Sequence, residues 1–331
     1  MARPLARIQR LDPVSGDPHL GKRRLYIPPG VPCLGFNLAI KEWLECVRLV
    51  DIHKEPKAFD GLRGAYCEAV ATARNAGLSN RDAHRAALSG VTDLLYGNDL
   101  ASVLRERLSQ ETFNTGGMRS PLYQSFVKNV GENFVNVIVY ALATLLADQD
   151  DILVDKGMPR ALKDALWLKR TVPLKTGDMV IDIKIEGDAA VFSRQNCLNA
   201  IVISAKTRLK EVFHIGTMWK MLFDTLGDKS RLQKWGLTRK MDADVSKVLY
   251  VFATADLVKE GGKTCQGGDV KRPKPRNLIA MDASFFDYVF VSMTGIGHVE
   301  NKIDHGTRGA LFHELGCLVD LIEQKFEIHI R

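Results

Sequence analysis

The chain has 331 residues, 46% of them hydrophobic and 26% charged. That is enough apolar content for one large core or a core with a smaller helical companion, and it excludes a disordered or fibrous protein. Forty-six Lys and Arg against 39 Asp and Glu give a formal charge of +7, which favours polyanionic partners without requiring one.

Residues 1–35 form a basic irregular arm, with Arg3, Arg7, Arg10, Lys22, Arg23 and Arg24 spaced by the breaks Ser15-Gly16 and Pro28-Pro29-Gly30. This composition suits an arm along a DNA backbone and equally a solvated terminus. Residues 36–115 read as a helical N-terminal subdomain. Leu38, Trp43, Leu44 and Val47 supply much of one candidate helix's packing surface, Ala65–Ala76 makes a second helix, Ser79 is a candidate cap for a third, and Leu100–Leu108 makes another. After the break Thr115-Gly116-Gly117, a catalytic domain over 116–331 is expected. Ser120-Pro121 opens a long helix with Phe126, Val130, Phe134, Val137, Ile138, Ala141 and Leu145, and Glu132 lies within it.

An acidic run at 148–151 and a short helical connection through Leu168 lead to a β-rich part. Met179–Glu186 alternates around Ile181, Ile183 and Ile185; Gly187 turns the chain and Asp188–Ser193 returns. Ala200–Ala205 is largely apolar on both faces, the mark of a central strand. Thr207 is a candidate cap for a helix over 208–226, strands are expected at Val248–Thr254 and Tyr288–Met293, and a last helix at Thr307–Glu323. Strands alternating with helices make α/β the economical fold class. The six cysteines contain no CxxC pair, which favours a reducing, cytoplasmic setting over a disulfide framework or zinc site. No apolar run is long enough to span a bilayer, so no membrane partner is expected.

A hairpin-like excursion between residues 188 and 206 would bring Asp188, at a turn, and Lys206, at the end of an apolar strand, to one point. Phosphodiester hydrolysis needs an activated water, opposition to charge on the phosphate, and help for the leaving alkoxide. Mg2+ held by oxygen ligands contributes to all three, and a nearby ammonium orients the water and opposes the phosphate charge. Asp188 and the backbone carbonyl of Ala205 are the expected ligands, with Lys206 beside them and Asp182 and Glu186 as fallback carboxylates. A turn-stabilising Asp188 and a solvated Lys206 fit the same spacing, so the spacing alone does not choose.

Gly187-Asp188 followed by Ser204-Ala205-Lys206-Thr207-Arg208-Leu209-Lys210-Glu211 resembles the core of the PD-(D/E)xK nuclease superfamily, in particular type II restriction endonucleases, in which a strand ends at a lysine and a polar helix follows. Gly187-Asp188 stands where that family has Pro-Asp, and Ser204 stands where it has an acid two residues before the lysine. Serine there is similar to enzymes that cut at CCGG-type or CC-centred sites, in which a helix carboxylate compensates. The resemblance implies a restriction-endonuclease-like central mixed sheet flanked by helices. It also implies catalytic roles for Asp188, Lys206 and Glu132, and Mg2+ ligands at Asp188, Ala205 and Glu132. Glu211 is the nearest candidate for the compensating carboxylate. The positions where the family's compensating acid is expected hold Trp219 and Lys220, which leaves one or two metals open.

Beyond Lys206 the chain is basic. The resemblance makes Arg208 and Lys210 the favoured base readers, and Lys220, Arg231, Lys234 and Arg239 extend the DNA-binding set. Arg or Lys reaches guanine O6 and N7 for discrimination, whereas phosphate contacts supply salt-dependent affinity. A solvated basic helix face has the same composition. The expectation is a Mg2+-dependent, homodimeric type II restriction endonuclease acting on double-stranded DNA at a short palindromic or near-palindromic site with a CC/GG core, with no nucleotide cofactor. The alternatives are a structure-specific DNA repair nuclease and a non-catalytic DNA-binding protein.

Overall fold

Ser79 starts a helix as its short polar side chain predicts: its hydroxyl accepts from the Asp82 amide at 3.1 Å, satisfying one of the donors a helix start leaves free. The computed structural model describes residues 37, 41, 57–97, 121–206, 213–255, 259–260, 263–264, 285–292 and 312–330. The helix expected at Leu100–Leu108, the basic arm and the Thr207 cap lie outside these, as does the boundary at 115.

Helices α1 (Lys57–Asn75), α2 (Asn80–Ser89), α3 (Val91–Gly97) and α4 (Pro121–Leu145) precede the strands. The chain continues through β1 (Ile152–Lys156), α5 (Arg160–Ala165), β2 (Trp167–Leu174), β3 (Gly177–Lys184), β4 (Ala189–Ser193) and β5 (Ala200–Lys206). Then follow α6 (Phe213–Leu226), α7 (Lys229–Lys234), β6 (Leu237–Arg239), β7 (Val248–Thr254) and the short ribbon β8 (Lys259–Glu260) and β9 (Lys263–Thr264). The last elements are β10 (Val289–Val291), β11 (Phe312–Glu314) and α8 (Cys317–Phe326).

A six-stranded mixed sheet in the order β1-β4-β5-β7-β10-β11 forms the centre. The β1, β4 and β5 neighbours are antiparallel, and the β5, β7, β10 and β11 neighbours are parallel. The fold is therefore α/β, with helices on both faces and a helical N-terminal region. Alternation divides β5 cleanly: Ile201, Ile203 and Ala205 join one apolar core with α1, α2, α4 and α8, whereas Ala200 and Val202 join a second with α5, α6 and α7. That is why this strand reads as apolar on both faces. The N-terminal helices share the first core with the sheet: Leu62, Tyr66 and Leu88 are buried in the same cluster as Ile138, Ile203 and Leu318.

Two polar devices fasten the N-terminal part. Asn37, buried, donates to the Leu146 and Ile152 carbonyls at 2.7 and 2.8 Å and accepts from the Val154 amide at 2.9 Å. Arg81 on α2 donates to Glu323 and Asp320 on α8 at 2.5 to 2.9 Å. Gly316, which precedes α8 at its cap position, is required by close approach, since a Cβ there would lie 2.2 Å from the Arg85 carbonyl.

Three sequence expectations are corrected. β3 does not return through Gly187 to pair with 188–193; it pairs with β2 in a separate sheet of order β3-β2-β6, and β4 pairs with β1 and β5. The segment through Leu168, expected to be helical, contains β1 and the start of β2 around the short α5. Within the helix expected over 307–323, residues 312–314 form β11, which finds its partner in β10, and among the described residues helix begins at Cys317. For β1 and β11 the deciding partner strand is remote in sequence, whereas β3 pairs with β2 across a two-residue turn. Among the described residues no helix is long and apolar enough to cross a membrane.

Candidate active site

The β4–β5 hairpin brings Asp188 and Lys206 together at one end of the central sheet. Ala189 is opposite Ile203 in the antiparallel register, so Asp188, one residue before β4, falls beside the last turn of β5. Its backbone is held on both sides: its amide donates to the Ile203 carbonyl at 2.8 Å and its carbonyl accepts from Gly157 at 2.8 Å. Gly187 permits this course, because a Cβ there would lie 2.4 Å from Val202 Cγ1. Tyr250 supports the same stretch by donating to the Glu186 carbonyl at 2.7 Å, and burial pushes its phenol well above the usual range.

The Asp188 carboxylate is pinned by two donors through three contacts. Oδ2 accepts from the Ala205 amide at 2.8 Å and from Lys206 Nζ at 2.9 Å, and Oδ1 lies 3.1 Å from the same ammonium. Both side chains are about one-third exposed, 29% and 33%, so the pair is ordered by the fold yet open to a ligand. In a strand the amide and carbonyl of one residue project to the same side. The Ala205 carbonyl is thus directed to the side of β5 on which its amide meets Asp188.

Lys156, at the end of β1, is a further charge at this edge that the sequence reading missed. It is opposite Ala189 in the β1–β4 register, next to Asp188. The surrounding protein lowers the pKa of its ammonium, while Glu132 first and Asp188 second act to raise it. Lys156 therefore lies within electrostatic reach of both carboxylates. Glu132 itself is exposed on α4. The signal in the sequence was the apolar triplet Ile152-Leu153-Val154 ending in a charged pair before Gly157, hidden by assigning the segment to a helical connection.

The residues considered for a metal, Asp188, the Ala205 carbonyl and Glu132, offer oxygen atoms only, the donor type that a hard divalent cation takes. Among the described residues no three or more His, Cys, Asp or Glu cluster as a ready-made metal cage. Mg2+ does not demand one, because it commonly takes one or two carboxylates and completes its shell with water and phosphate.

The other expected residues are distributed differently. Arg208, Lys210 and Glu211 lie outside the described residues. Arg231 and Lys234 are exposed on α7; Lys234 lines a cleft of about 310 Å³ with Arg170, Ile183, Leu222, Trp235 and Leu237. Lys220 is not placed as a surface phosphate contact: its side chain is 5% exposed and its ammonium is ion-paired with Asp224 and with Asp287, the latter at 3.1 Å. Arg239 is likewise turned inward, 13% exposed, donating to the Ala243 carbonyl and pairing with Asp242. A buried cation is retained where carboxylates compensate its lost hydration, which accounts for Lys220 between Asp224 and Asp287.

No family model matches the chain, and no curated protein matches it.

Proposed function

We propose that this chain is a Mg2+-dependent endonuclease of double-stranded DNA with Asp188 and Lys206 at its catalytic centre. The observation that carries the reading is the contact of Lys206 with both Asp188 oxygens at the open end of β5, with Ala205 bonded to the same carboxylate. A spacing that is commonplace in sequence has become a partly exposed acid and base in direct contact. The arrangement is the one expected from the resemblance to type II restriction endonucleases, and the mixed sheet flanked by helices is compatible with that fold.

The chain's own residues divide the work by charge. Asp188 and the Ala205 carbonyl, with Glu132, would hold the metal, which when bound supplies positive charge at the phosphate and acidifies a coordinated water. Lys206 then opposes charge gathering on the phosphate oxygens and orients the water through hydrogen bonds. Asp188 also keeps the Lys206 ammonium at the strand end instead of leaving it to sweep solvent. Lys156 adds a second cation at the same edge. Exposed Arg231 and Lys234 supply phosphate contacts that position the duplex without reading its sequence. Two copies related by a two-fold axis would match a palindromic site and cut both strands.

The test is incubation of the purified chain with unmethylated phage and plasmid DNA, with Mg2+ and separately with EDTA, followed by sequencing of fragment ends. Discrete Mg2+-dependent fragments sharing one end sequence establish a restriction endonuclease and reveal its target. Cleavage confined to ends, mismatches or junctions replaces this with a repair nuclease, and binding without fragmentation replaces it with a non-catalytic DNA-binding protein.

A further inference from the structure

Strand β3 is the outer strand of the three-stranded sheet, whose order is β3-β2-β6. Along its eight residues it is largely exposed, and Met179, Val180 and Ile181 stand 43%, 59% and 38% open. Leu174, on the facing strand, is 51% open. A long exposed edge strand with apolar side chains is a template for another strand, and proteins ordinarily cover or blunt such edges. Here no Pro or bulge interrupts it among the described residues: the β2–β3 register runs unbroken from Leu174↔Gly177 to Trp167↔Lys184.

The direction of the free backbone groups follows from that register. Two residues, Lys175 and Thr176, connect the strands, so Leu174 and Gly177 form the hydrogen-bonded closing pair and every second pair along the ladder does the same. Gly177, Met179, Ile181 and Ile183 therefore spend their amides and carbonyls on β2. Asp178, Val180, Asp182 and Lys184 direct theirs outward. An added antiparallel strand must bond to those four.

We infer that the partner strand is β3 of a second copy of this chain, paired antiparallel about a two-fold axis at Ile181. In that register Asp178 of each copy faces Lys184 of the other, twice by symmetry. Val180 faces Asp182, and Met179, Ile181 and Ile183 form a continuous apolar row from both copies. Sliding by one step in either direction sets Asp178 against Asp182 or Asp182 against itself. Opposite charges directly across a ladder stabilise it and like charges destabilise it, so the charge pattern selects the register centred on Ile181. The same pattern makes the contact isologous and self-limiting, because pairing consumes the edge. Lys184 lies 4.3 Å from the Trp167 ring, and Asp182 accepts from Trp167 Nε1 at 3.0 Å; this holds both charged residues on one face of the hairpin.

The pairing rests on the two-copy part of the function proposed above and not on its chemistry. Its test is accordingly made without DNA or metal. Light scattering after size exclusion should give the mass of two chains for the wild type. Ile181→Cys should crosslink to itself under mild oxidation into a dimer band that reductant removes, since facing residues at a non-hydrogen-bonded position bring their Cα atoms within disulfide range. The wild type with its native cysteines, and Arg160→Cys at a side chain 94% exposed, should not give that band. Lys184→Asp should weaken dimerisation about tenfold, the change that corresponds to ~1.4 kcal/mol, and adding Asp178→Lys should restore it. Thermal melts confirm that each variant is folded. A wild type that stays monomeric, a dimer whose Ile181→Cys variant does not crosslink, or a dimer indifferent to Lys184→Asp each overturns the proposal. None of these outcomes bears on whether DNA is cut.

Discussion

Lys206 Nζ lies 2.9 and 3.1 Å from the two carboxylate oxygens of Asp188, although one residue ends β5 and the other precedes β4. The contact is set by the antiparallel register of β4 and β5 and not by local sequence, and the Ala205 amide bonded to the same carboxylate fixes its orientation.

Replacing Lys206 by Ala, or Asp188 by Asn, should lower cleavage at least about a hundredfold, the usual scale for one group that stabilises developing charge. Asn can still accept from the Ala205 amide, and Lys206→Ala leaves that bond in place, so both variants should keep the fold. The loss of stability should stay within about 1 kcal/mol because the pair is part-exposed. Cleavage rates beside thermal melts check this. Near-normal turnover in either variant rejects the active-site assignment.

Gly187→Ala should destabilise the chain by about 1–3 kcal/mol, the range for overfilling a packed position. The new methyl meets Val202 Cγ1 at 2.4 Å. Combining it with Val202→Ala should recover part of the loss, and denaturant melts of the four proteins of this cycle measure the coupling. Strict additivity would show that the two side chains do not meet.

The two basic positions Lys220 and Lys234 should separate stability from DNA affinity. Lys220→Met removes the partner of Asp287 and Asp224 and should cost about 1–3 kcal/mol, less than a wholly buried pair because both carboxylates reach water. Lys234→Ala should leave stability unchanged and lower the slope of log affinity against log salt by about 1. The reverse outcome, with Lys220→Met changing only the salt slope, contradicts the buried ion pair.

Acid should weaken the fold partly through His84. Burial first, then Arg74 and Lys41, lower its pKa from 6.5 to about 4, and Tyr66 Oη lies 2.8 Å from its Nδ1. Between these pH values the unfolded chain binds a proton that the folded chain does not. The contribution is full above pH 6.5 and falls as the pH drops toward 4, by about 3 kcal/mol in all. Unfolding free energies of the wild type and His84→Gln across this range check the sign. The variant should show a shallower fall.

The sequence by itself determined those parts whose physics is local. Ser79 caps its helix with its own hydroxyl, the long apolar helix starts at Pro121, and Ala200–Lys206 is a strand buried on both faces. Capping and periodicity act over a few residues, so they are written in adjacent letters. The Asp188 and Lys206 pair was legible only with the help of a family resemblance, because its spacing is commonplace. Only the tertiary structure decided which strands are neighbours. β3 left Gly187 for β2, β11 joined β10 where a helix was expected, and Lys156 arrived beside Asp188 through β1. It also separated basic residues that look alike in the sequence, drawing Lys220 onto Asp224 and Asp287 while leaving Lys234 on the surface. The β1–β4 and β5–β7 partners and the Asp287 countercharge of Lys220 are distant in the chain, and their energies exist only once the layers have packed.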